Sequence, residues 1–364
     1  MADCNNLWDP KSQLYAQPFL QKGLSADTSA AYGLMAFVGD NPRLKLVLTG
    51  TFPKGSYMSL QIYRGSFQSS KEVGDVLSDY EIAANLGGKN PFQTLNRNDT
   101  GKFQIAITPD PAAKEAPPQN TIWYNANPGP FESRLISAFY RVYQPAGGQL
   151  SKDDLPKIES WDFATNVNLP CPPVQRLDWY LDLPYDLIAL LNNSALLKTR
   201  TLTFDVKQES AGTNKDAMYA FTYANIPRGD VAIVRFEAPK IDFGSQNADA
   251  PVVRYWSICS IYWPMLRAMN GVACDWDHPD KRDVTVVFGP NKASVKEKAK
   301  LLGAHFLSDD REKDEDVMGF IVRNVLPSEK FQQQMFKGPF LPRGRVYTEQ
   351  EFQARPKDKL LGLA

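Results

Sequence analysis

Apolar and polar positions alternate with a period of two over several short stretches of the chain. The stretch from Val47 to Tyr63 alternates in this way, and Phe103, Ile105 and Ile107 repeat the pattern. This period is typical of β-strands that bury one face. Prolines and glycines are scattered between the stretches, as turns between short strands require. The pattern predicts an all-β fold of β-sandwiches with a few short helices.

One strand-like segment occurs twice in the chain. Tyr57–Tyr63 returns as Tyr255–Tyr262, and the segments on either side of it return in the same order. Arg141 and Arg323 occupy equivalent positions near the end of each copy. The repeat predicts two tandem, related sandwiches of the jelly-roll type. The predicted organisation is a first domain at 1–165, a connector with a short helix at 166–200, a second domain at 201–345 and a C-terminal helix and tail at 346–364.

Four short helices are predicted from their end signals. They are a helix at 184–193 in the connector, an amphipathic helix at 293–302, a helix at 329–337 capped by Ser328, and a last helix begun by a capping box of Thr348 and Glu351. The tail after Arg355 has an apolar end, which either frays or docks on the second subunit of a homodimer. The second copy also carries an insertion at 240–253, which we interpret as a lid.

Composition excludes several classes of protein. Lys plus Arg and Asp plus Glu are equal at 41, so the formal net charge is zero and nucleic acid is not an expected partner. No stretch has the length of a membrane span, and the first residues show no secretory signal. Four cysteines are too few for a disulfide scaffold. We therefore expect reduced thiols and a cytoplasmic protein.

Several groups of residues in the two copies form a recognisable set. They are Gly50–Pro53 with Tyr57–Ser59, Asn90–Phe92, Trp123–Asn125 with Tyr140–Pro145, and Arg254–Cys259. On this set, most of the chain resembles a widespread bacterial group of uncharacterised proteins built from tandem jelly-roll-like domains. The resemblance implies an all-β fold with an aromatic groove, and it implies no activity.

The turn around His278 is the first candidate for chemistry. His278 lies among three carboxylates, two of which are Asp275 and Asp277. One interpretation is a hairpin turn whose side chains cap backbone amides. A second is proton transfer by an imidazole held by one of the aspartates, with Tyr255 as a further acid–base group. A metal site is the third, but the spacing fits neither calcium loops nor typical zinc sites, so no metal or other cofactor is predicted.

Aromatic residues of the second copy predict a binding pocket. Arg254 is the expected rim of the pocket, because the first copy has Ser56 at the equivalent position. The aromatic candidates are Trp256, Tyr262, Trp263 and Trp276. Such a pocket suits an apolar, natural-product-like small molecule. The functional hypotheses are a cofactor-independent isomerase, cyclase or hydrolase, a non-catalytic module for carbohydrate or lipid-like ligands, and an assembly protein.

Two further pairs of residues are open to a structural and a functional interpretation. Cys259 and Cys274 are expected on adjacent strands as buried free thiols, with a disulfide or a nucleophilic Cys–His pair as alternatives. Arg141 and Arg323 are expected to be structural and bonded to loop carbonyls or to Asp79 or Asp275, with a ligand-carboxylate clamp as the alternative.

Overall fold

The computed structural model describes residues 3–8, 27–64, 73–126, 134–148, 150–173, 199–207, 214–262, 267–275, 282–311, 317–335 and 337–362. The chain forms two compact units. Unit 1 comprises Met1–Phe19, Ala30–Asp182 and Glu209–Lys215, and unit 2 comprises Leu20–Ser29, Leu183–Gln208 and Asp216–Ala364. Residues 20–29, directly before the first strand of unit 1, therefore belong to unit 2, and residues 209–215, which lie between two strands of unit 2 in sequence, belong to unit 1. Strands dominate both units, which confirms the predicted all-β class.

Unit 1 contains two four-stranded sheets in its described part. The strands are β1 (Ala30–Val38), β2 (Leu44–Thr51), β3 (Tyr57–Arg64), β4 (Val73–Ser78), β5 (Lys102–Thr108), β6 (Thr121–Trp123), β7 (Leu135–Tyr143) and β8 (Lys157–Asp162). One sheet has the order β1-β7-β3-β4 and the other β6-β5-β2-β8. Tyr124 packs on Phe37 of the first sheet and donates its hydroxyl to the carbonyl of Leu44 in the second, 3.0 Å away. The two sheets thus enclose one core.

The described part of unit 2 contains two larger sheets and a small pair of strands. The strands are β9 (Thr201–Thr203), β10 (Asp205–Lys207), β11 (Ala217–Asn225), β12 (Val231–Glu237), β13 (Lys240–Ile241), β14 (Val252–Val253), β15 (Tyr255–Tyr262), β16 (Arg267–Ala273), β17 (Asp283–Gly289), β18 (His305–Ser308), β19 (Val317–Val325) and β20 (Arg343–Tyr347). The sheet orders are β10-β11-β19-β15-β16 and β18-β17-β12-β20-β9, with β13 beside β14.

The two units share strand order and register. The order β1-β7-β3-β4 corresponds to β11-β19-β15-β16, and β6-β5-β2-β8 corresponds to β18-β17-β12-β20. Ser59 lies opposite Arg141 in unit 1, and Ser257 lies opposite Arg323 in unit 2. Both units also have an irregularity of strand pairing at equivalent positions. The register between β3 and β4 shifts after Gln61, and the register between β15 and β16 shifts after Cys259. Ser59 therefore corresponds to Ser257, and Arg141 corresponds to Arg323, as the sequence repeat predicts.

Six short α-helices connect or cover the strands in the described part of the chain. They are α1 (Pro91–Thr94), α2 (Pro111–Glu115), α3 (Ala293–Leu302), α4 (Glu329–Gln334), α5 (Glu349–Ala354) and α6 (Lys357–Leu361). The predicted helix α3, the Ser328 cap of α4 and the capping box of Thr348 and Glu351 are confirmed. The predicted connector helix at 184–193 lies outside the described residues.

The C-terminal tail packs on its own unit. Leu360 of α6 is buried in an apolar cluster with Ile233 of β12, Val295 of α3 and Phe352 of α5. These helices cover the face of the β12 sheet that points away from the sandwich core. The sequence left two explanations for the apolar end of the tail, which were fraying and docking on a second subunit. The contacts of Leu360 show that the tail packs on its own unit instead.

The insertion at 240–253 is a packed segment. Its two ends form the parallel pair β13 and β14. Between them, Ser245 is fully buried and donates its hydroxyl to the carbonyl of Leu326 at 2.6 Å. A segment held by strand pairing and buried hydrogen bonds is poorly suited to open and close, so the lid interpretation is not supported.

Cys4 and Cys171 form a disulfide, so the expectation that all thiols are reduced is wrong for this pair. The chain near residue 4 runs beside β8, where the Cys4 amide donates to the carbonyl of Ile158 at 2.9 Å. This position brings Cys4 to Cys171, and the two Cα atoms are 5.5 Å apart. The pairing depends on a long-range strand contact, which cysteine spacing does not reveal. Cys259 and Cys274 are free, buried thiols, as predicted.

Among the described residues, none of the helices has the length and apolar character needed to cross a membrane.

Candidate functional site

Strand β15 places the predicted site residues on two different faces of its sheet. Tyr255, Ser257 and Cys259 point to one side, and Trp256 and Tyr262 point to the other, because side chains alternate along a strand. All eight residues of β15 are buried. The predicted aromatic wall and the predicted acid–base group Tyr255 are therefore separated by the sheet.

The first side of β15 holds a buried carboxylate. Asp27 accepts hydrogen bonds from the hydroxyl of Tyr255 at 3.0 Å and from the hydroxyl of Ser257. Its other oxygen accepts from the amide of Ser29 at 2.8 Å. The guanidinium of Arg323 lies 3.9 Å from the carboxylate, and both side chains are almost fully buried. Asp27 thus supplies the negative charge that a buried arginine requires.

Burial also sets the protonation state of the neighbouring groups. It raises the pKa of the Tyr255 hydroxyl well above its ordinary value, and the nearby Asp27 carboxylate adds to the effect. It likewise raises the pKa of the Cys259 thiol, and that of Cys274 to about 12. These groups are protonated at neutral pH. A thiol in this state is a poor nucleophile, which counts against the Cys–His alternative, whose His278 lies outside the described residues.

Arg254 lies inside unit 2 and not at a rim. Its side chain is fully buried, stacks 5.0 Å from the ring of Phe243 and donates to the side chain of Gln246. Both contacts come from the insertion at 240–253. The absence of this insertion from the first copy explains why Ser56 takes the equivalent place there. The difference between Arg254 and Ser56, which suggested a ligand-binding arginine, is therefore explained by these contacts within unit 2.

Trp256 and Tyr262 are 5% and 8% exposed, which makes them core residues and not open stacking platforms. Trp256 packs edge-on against Phe236 of β12, with ring centroids 5.7 Å apart. Asp275 is exposed and follows β16. The other predicted site residues lie outside the described residues: Trp263, Trp276, Asp277 and His278.

An open cleft of about 660 Å³ lies on unit 2, next to the sheet that contains β12. It is lined by charged side chains and by an apolar wall. The charged residues are Arg235, Glu237, Arg282, Asp283 and Arg343, and the apolar wall is formed by Phe236, Pro339, Leu341 and Leu361. Phe236 connects the cleft wall to the predicted aromatic residue Trp256 behind it.

The cleft carries more positive than negative groups. Arg235 pairs with Asp283 at 3.0 Å, and Arg282 pairs with Glu237. Arg343 is exposed and has no partner among the described residues. It lies directly opposite Arg235 across β12 and β20, an arrangement of like charges that is unfavourable by itself. Asp283 already compensates the charge of Arg235, and the carbonyl of Leu361 accepts from Nη1 of Arg235 at 3.0 Å. Arg343 is therefore the group of this pair that is open to an anion.

Arg141 is the counterpart of Arg323 in unit 1, and it is also buried. It donates to the side-chain oxygen of Gln61 at 3.1 Å and to the hydroxyl of Tyr63. Asp79, the partner suggested by the sequence, accepts from the amide of Met58 at 2.9 Å. The structural interpretation of both arginines is supported, but their partners differ from the expected ones. Arg323 pairs with Asp27 and not with Asp275, and Arg141 bonds to Gln61 and Tyr63 and not to Asp79.

In the part of the chain that the structure describes, no three His, Cys, Asp or Glu side chains converge as metal ligands would.

Comparison with known proteins supports the fold and brings no activity. No family model matches the chain, and no curated protein matches it. A solved structure of an uncharacterised protein from Burkholderia cenocepacia is similar with a TM-score of 0.58 and 13% sequence identity. The match covers 90% of this chain and 78% of that chain. This likeness defines an all-β, sandwich-like protein and agrees with the resemblance to an uncharacterised bacterial group.

Proposed function

We propose that the protein binds a small organic anion in the cleft of unit 2. The observation that carries the proposal is Arg343, an arginine without a described partner that faces Arg235 at close range. Guanidinium groups bind carboxylate and phosphate groups through paired hydrogen bonds. Pro339, Leu341 and Leu361 supply apolar surface for the rest of the ligand. Among the functional hypotheses, this is a binding function.

The catalytic alternative has weaker support. The hydroxyl of Tyr255 and the thiols of Cys259 and Cys274 are protonated at neutral pH, because burial raises their pKa values, so none of these three groups is ready to act as a base or a nucleophile. An isomerase, cyclase or hydrolase would depend on Asp277 and His278. Native mass spectrometry of protein purified from its source addresses both hypotheses, because the chemistry of a retained ligand identifies what the protein binds or converts.

Arg343→Gln is expected to weaken binding of phenyl phosphate roughly 30-fold. The lost hydrogen bonds to a charged group are worth about 2 kcal/mol. Isothermal titration calorimetry would measure the change in affinity for phenyl phosphate. Inorganic phosphate and phenol, the two parts of this probe, would be titrated separately for comparison. Phenyl phosphate should bind more tightly than either part, because it uses both Arg343 and the apolar wall.

Arg345→Gln is the matched control for this experiment. Arg345 lies two residues further along β20, is exposed and stacks on Tyr347 instead of lining the cleft. Its substitution should leave the affinity for phenyl phosphate unchanged. Equal affinity in the wild type and in Arg343→Gln would contradict the proposal.

A second candidate function is carbohydrate binding on unit 1. Trp123 of β6 and Trp161 of β8 are half-buried on the face of their sheet that points away from the core. The two strands are separated by β5 and β2, so the indoles lie roughly 14 Å apart. Lys45 lies directly opposite Trp161 and brings a polar group beside the indole. Aromatic platforms beside such polar groups suit sugar rings.

Trp161→Ala is expected to abolish retardation of the protein in native gels that contain a soluble polysaccharide. Xylan, mannan and mixed-linkage glucan are the probes, since each presents a chain of sugar rings to the two indoles. The Arg343→Gln variant is the control and should be retarded like the wild type. Migration of the wild type that is unaffected by all three polysaccharides would exclude this candidate.

A further inference from the structure

The outer face of unit 1 is a solvent-facing surface that carries both indoles of the second candidate function. It is the side of the sheet β6-β5-β2-β8 that points away from the core. Burial alternates along these strands: Phe103, Ile105 and Ile107 of β5 are buried, whereas Lys102 and Gln104 are exposed. The outward side chains of the four strands therefore form one continuous surface.

The two indoles lie at opposite ends of one row of side chains across this face. Trp161 of β8 lies directly opposite Lys45 of β2, and Trp123 of β6 lies beside Thr108 of β5. The register of β2 and β5 places Lys45 and Thr108 next to each other in the middle of the row. The next row is made of Glu159 and three shorter side chains, Val47, Ala106 and Thr121. An extended ligand can therefore lie along the face between the two indoles.

A positive charge accompanies each indole. The ammonium of Lys45, in the same row as Trp161, donates to Oδ1 of Asn166 at 3.2 Å, which leaves further N–H donors of this group for a ligand. The ammonium of Lys114 in α2 lies 5.0 Å from the centre of the Trp123 ring. Neither lysine forms an ion pair with a carboxylate of the described residues. Both ammonium groups are therefore available to an anionic ligand.

The rest of the outer face carries mostly the same sign of charge. Lys102 of β5 and Lys157 of β8 also point outward and are exposed. Glu159 is the only acidic side chain that the described residues of the four strands direct to this face. Lysines thus outnumber acidic groups, and the charge of the face favours an anionic ligand over a neutral one.

Resting on the second candidate function, we propose that the outer face of unit 1 binds a polysaccharide built of uronic acids. One sugar ring stacks on Trp161, and its carboxylate pairs with Lys45. A carboxylate further along the polymer pairs with Lys114 beside Trp123. A neutral polysaccharide uses the indoles alone and binds more weakly.

Two hexasaccharides separate the contribution of the carboxylates from that of the sugar rings. The β-1,4-linked oligomers of mannuronate and of mannose share ring and linkage, and only the first carries carboxylates. In isothermal titration calorimetry at low ionic strength, the mannuronate oligomer is expected to bind the wild type roughly tenfold more tightly, as two exposed ion pairs allow. This advantage should shrink in about 1 M sodium chloride, where surface charges are screened.

Lys45→Gln and Lys114→Gln should each reduce the preference for the mannuronate oligomer about threefold, because each removes one ion pair. Lys300→Gln is the matched control, since Lys300 is exposed on α3 of unit 2, and it should keep the preference of the wild type. A preference that survives both Lys45→Gln and Lys114→Gln shows that the acidic oligomer binds elsewhere and overturns the proposal.

The same titrations distinguish uronate recognition from carbohydrate binding in general. Equal affinity of the wild type for the two oligomers overturns the uronate proposal and leaves carbohydrate binding intact. Trp161→Ala should weaken the binding of both oligomers, because both stack on the indole. If the wild type binds neither oligomer, carbohydrate binding on unit 1 fails, and the uronate proposal fails with it.

Discussion

Asp27→Asn is expected to destabilise unit 2 by about 3–5 kcal/mol, the usual cost of removing one partner of a buried ion pair. The substitution keeps the shape of the side chain and removes its charge. Arg323 would then remain buried and charged, since a guanidinium does not deprotonate in proteins. The hydroxyls of Tyr255 and Ser257 would also lose an ionised acceptor, which makes the strongest hydrogen bonds.

Urea denaturation followed by circular dichroism would measure this loss as a fall in the midpoint of unfolding. Asp249→Asn is the control, because the Asp249 carboxylate is 93% exposed in its pair with Lys330. An exposed pair of this kind contributes at most about 1 kcal/mol. If the two variants had the same midpoint, Asp27 would not be the counter-charge of Arg323.

The strands and their repeat could be predicted from the sequence because they depend on local pattern. The period of two marks strands such as β3 and β5, and repeated segments fix their order. The equivalence of Arg141 and Arg323 followed from the same comparison, and the register of β7 and β19 bears it out. Capping residues predicted the start of α4 and α5 for a similar reason, since a cap lies within three residues of the amides that it satisfies.

The faces of β15 could not be predicted in this way. The strand is buried on both sides, so apolar residues occupy both faces and the alternation disappears. Trp256 on the core side and Tyr255 beside Asp27 therefore looked like parts of one pocket. The cleft was missed because its charged residues, such as Arg235, Arg282 and Arg343, lie far apart along the chain.

Asp27 was missed although a signal for it exists. Tyr32 of β1 and Tyr219 of β11 both lie opposite the buried arginine of their sheets. Alignment of these two strands places Asp27 beside Asn214, three residues before each strand. Its partners could not be inferred, because the segment that carries Asp27 belongs to unit 2 while the strand that follows belongs to unit 1. Sequence order alone assigns both to the first domain.

Replacing Cys4 and Cys171 by serine is expected to lower the free energy of unfolding by about 2–5 kcal/mol. The disulfide joins residues separated by 167 positions, and closing so large a loop removes much entropy from the unfolded chain. It also fixes the first residues of the chain, where the side chain of Trp8 donates to the carbonyl of Pro156 at 2.8 Å. Reductant should therefore lower the melting temperature of the wild type and leave that of the double variant unchanged.

Intact mass after alkylation under denaturing conditions checks the bond directly. Two of the four cysteines, Cys259 and Cys274, should be alkylated without reductant, and all four after reduction. Cys274→Ala is the control, and it should keep the response to reductant because its thiol is free. Four alkylated thiols in unreduced protein would contradict the bond. If only two thiols were alkylated in protein taken directly from its source, the disulfide would be present there. That result would contradict the cytoplasmic expectation, because structural disulfides persist in oxidising compartments.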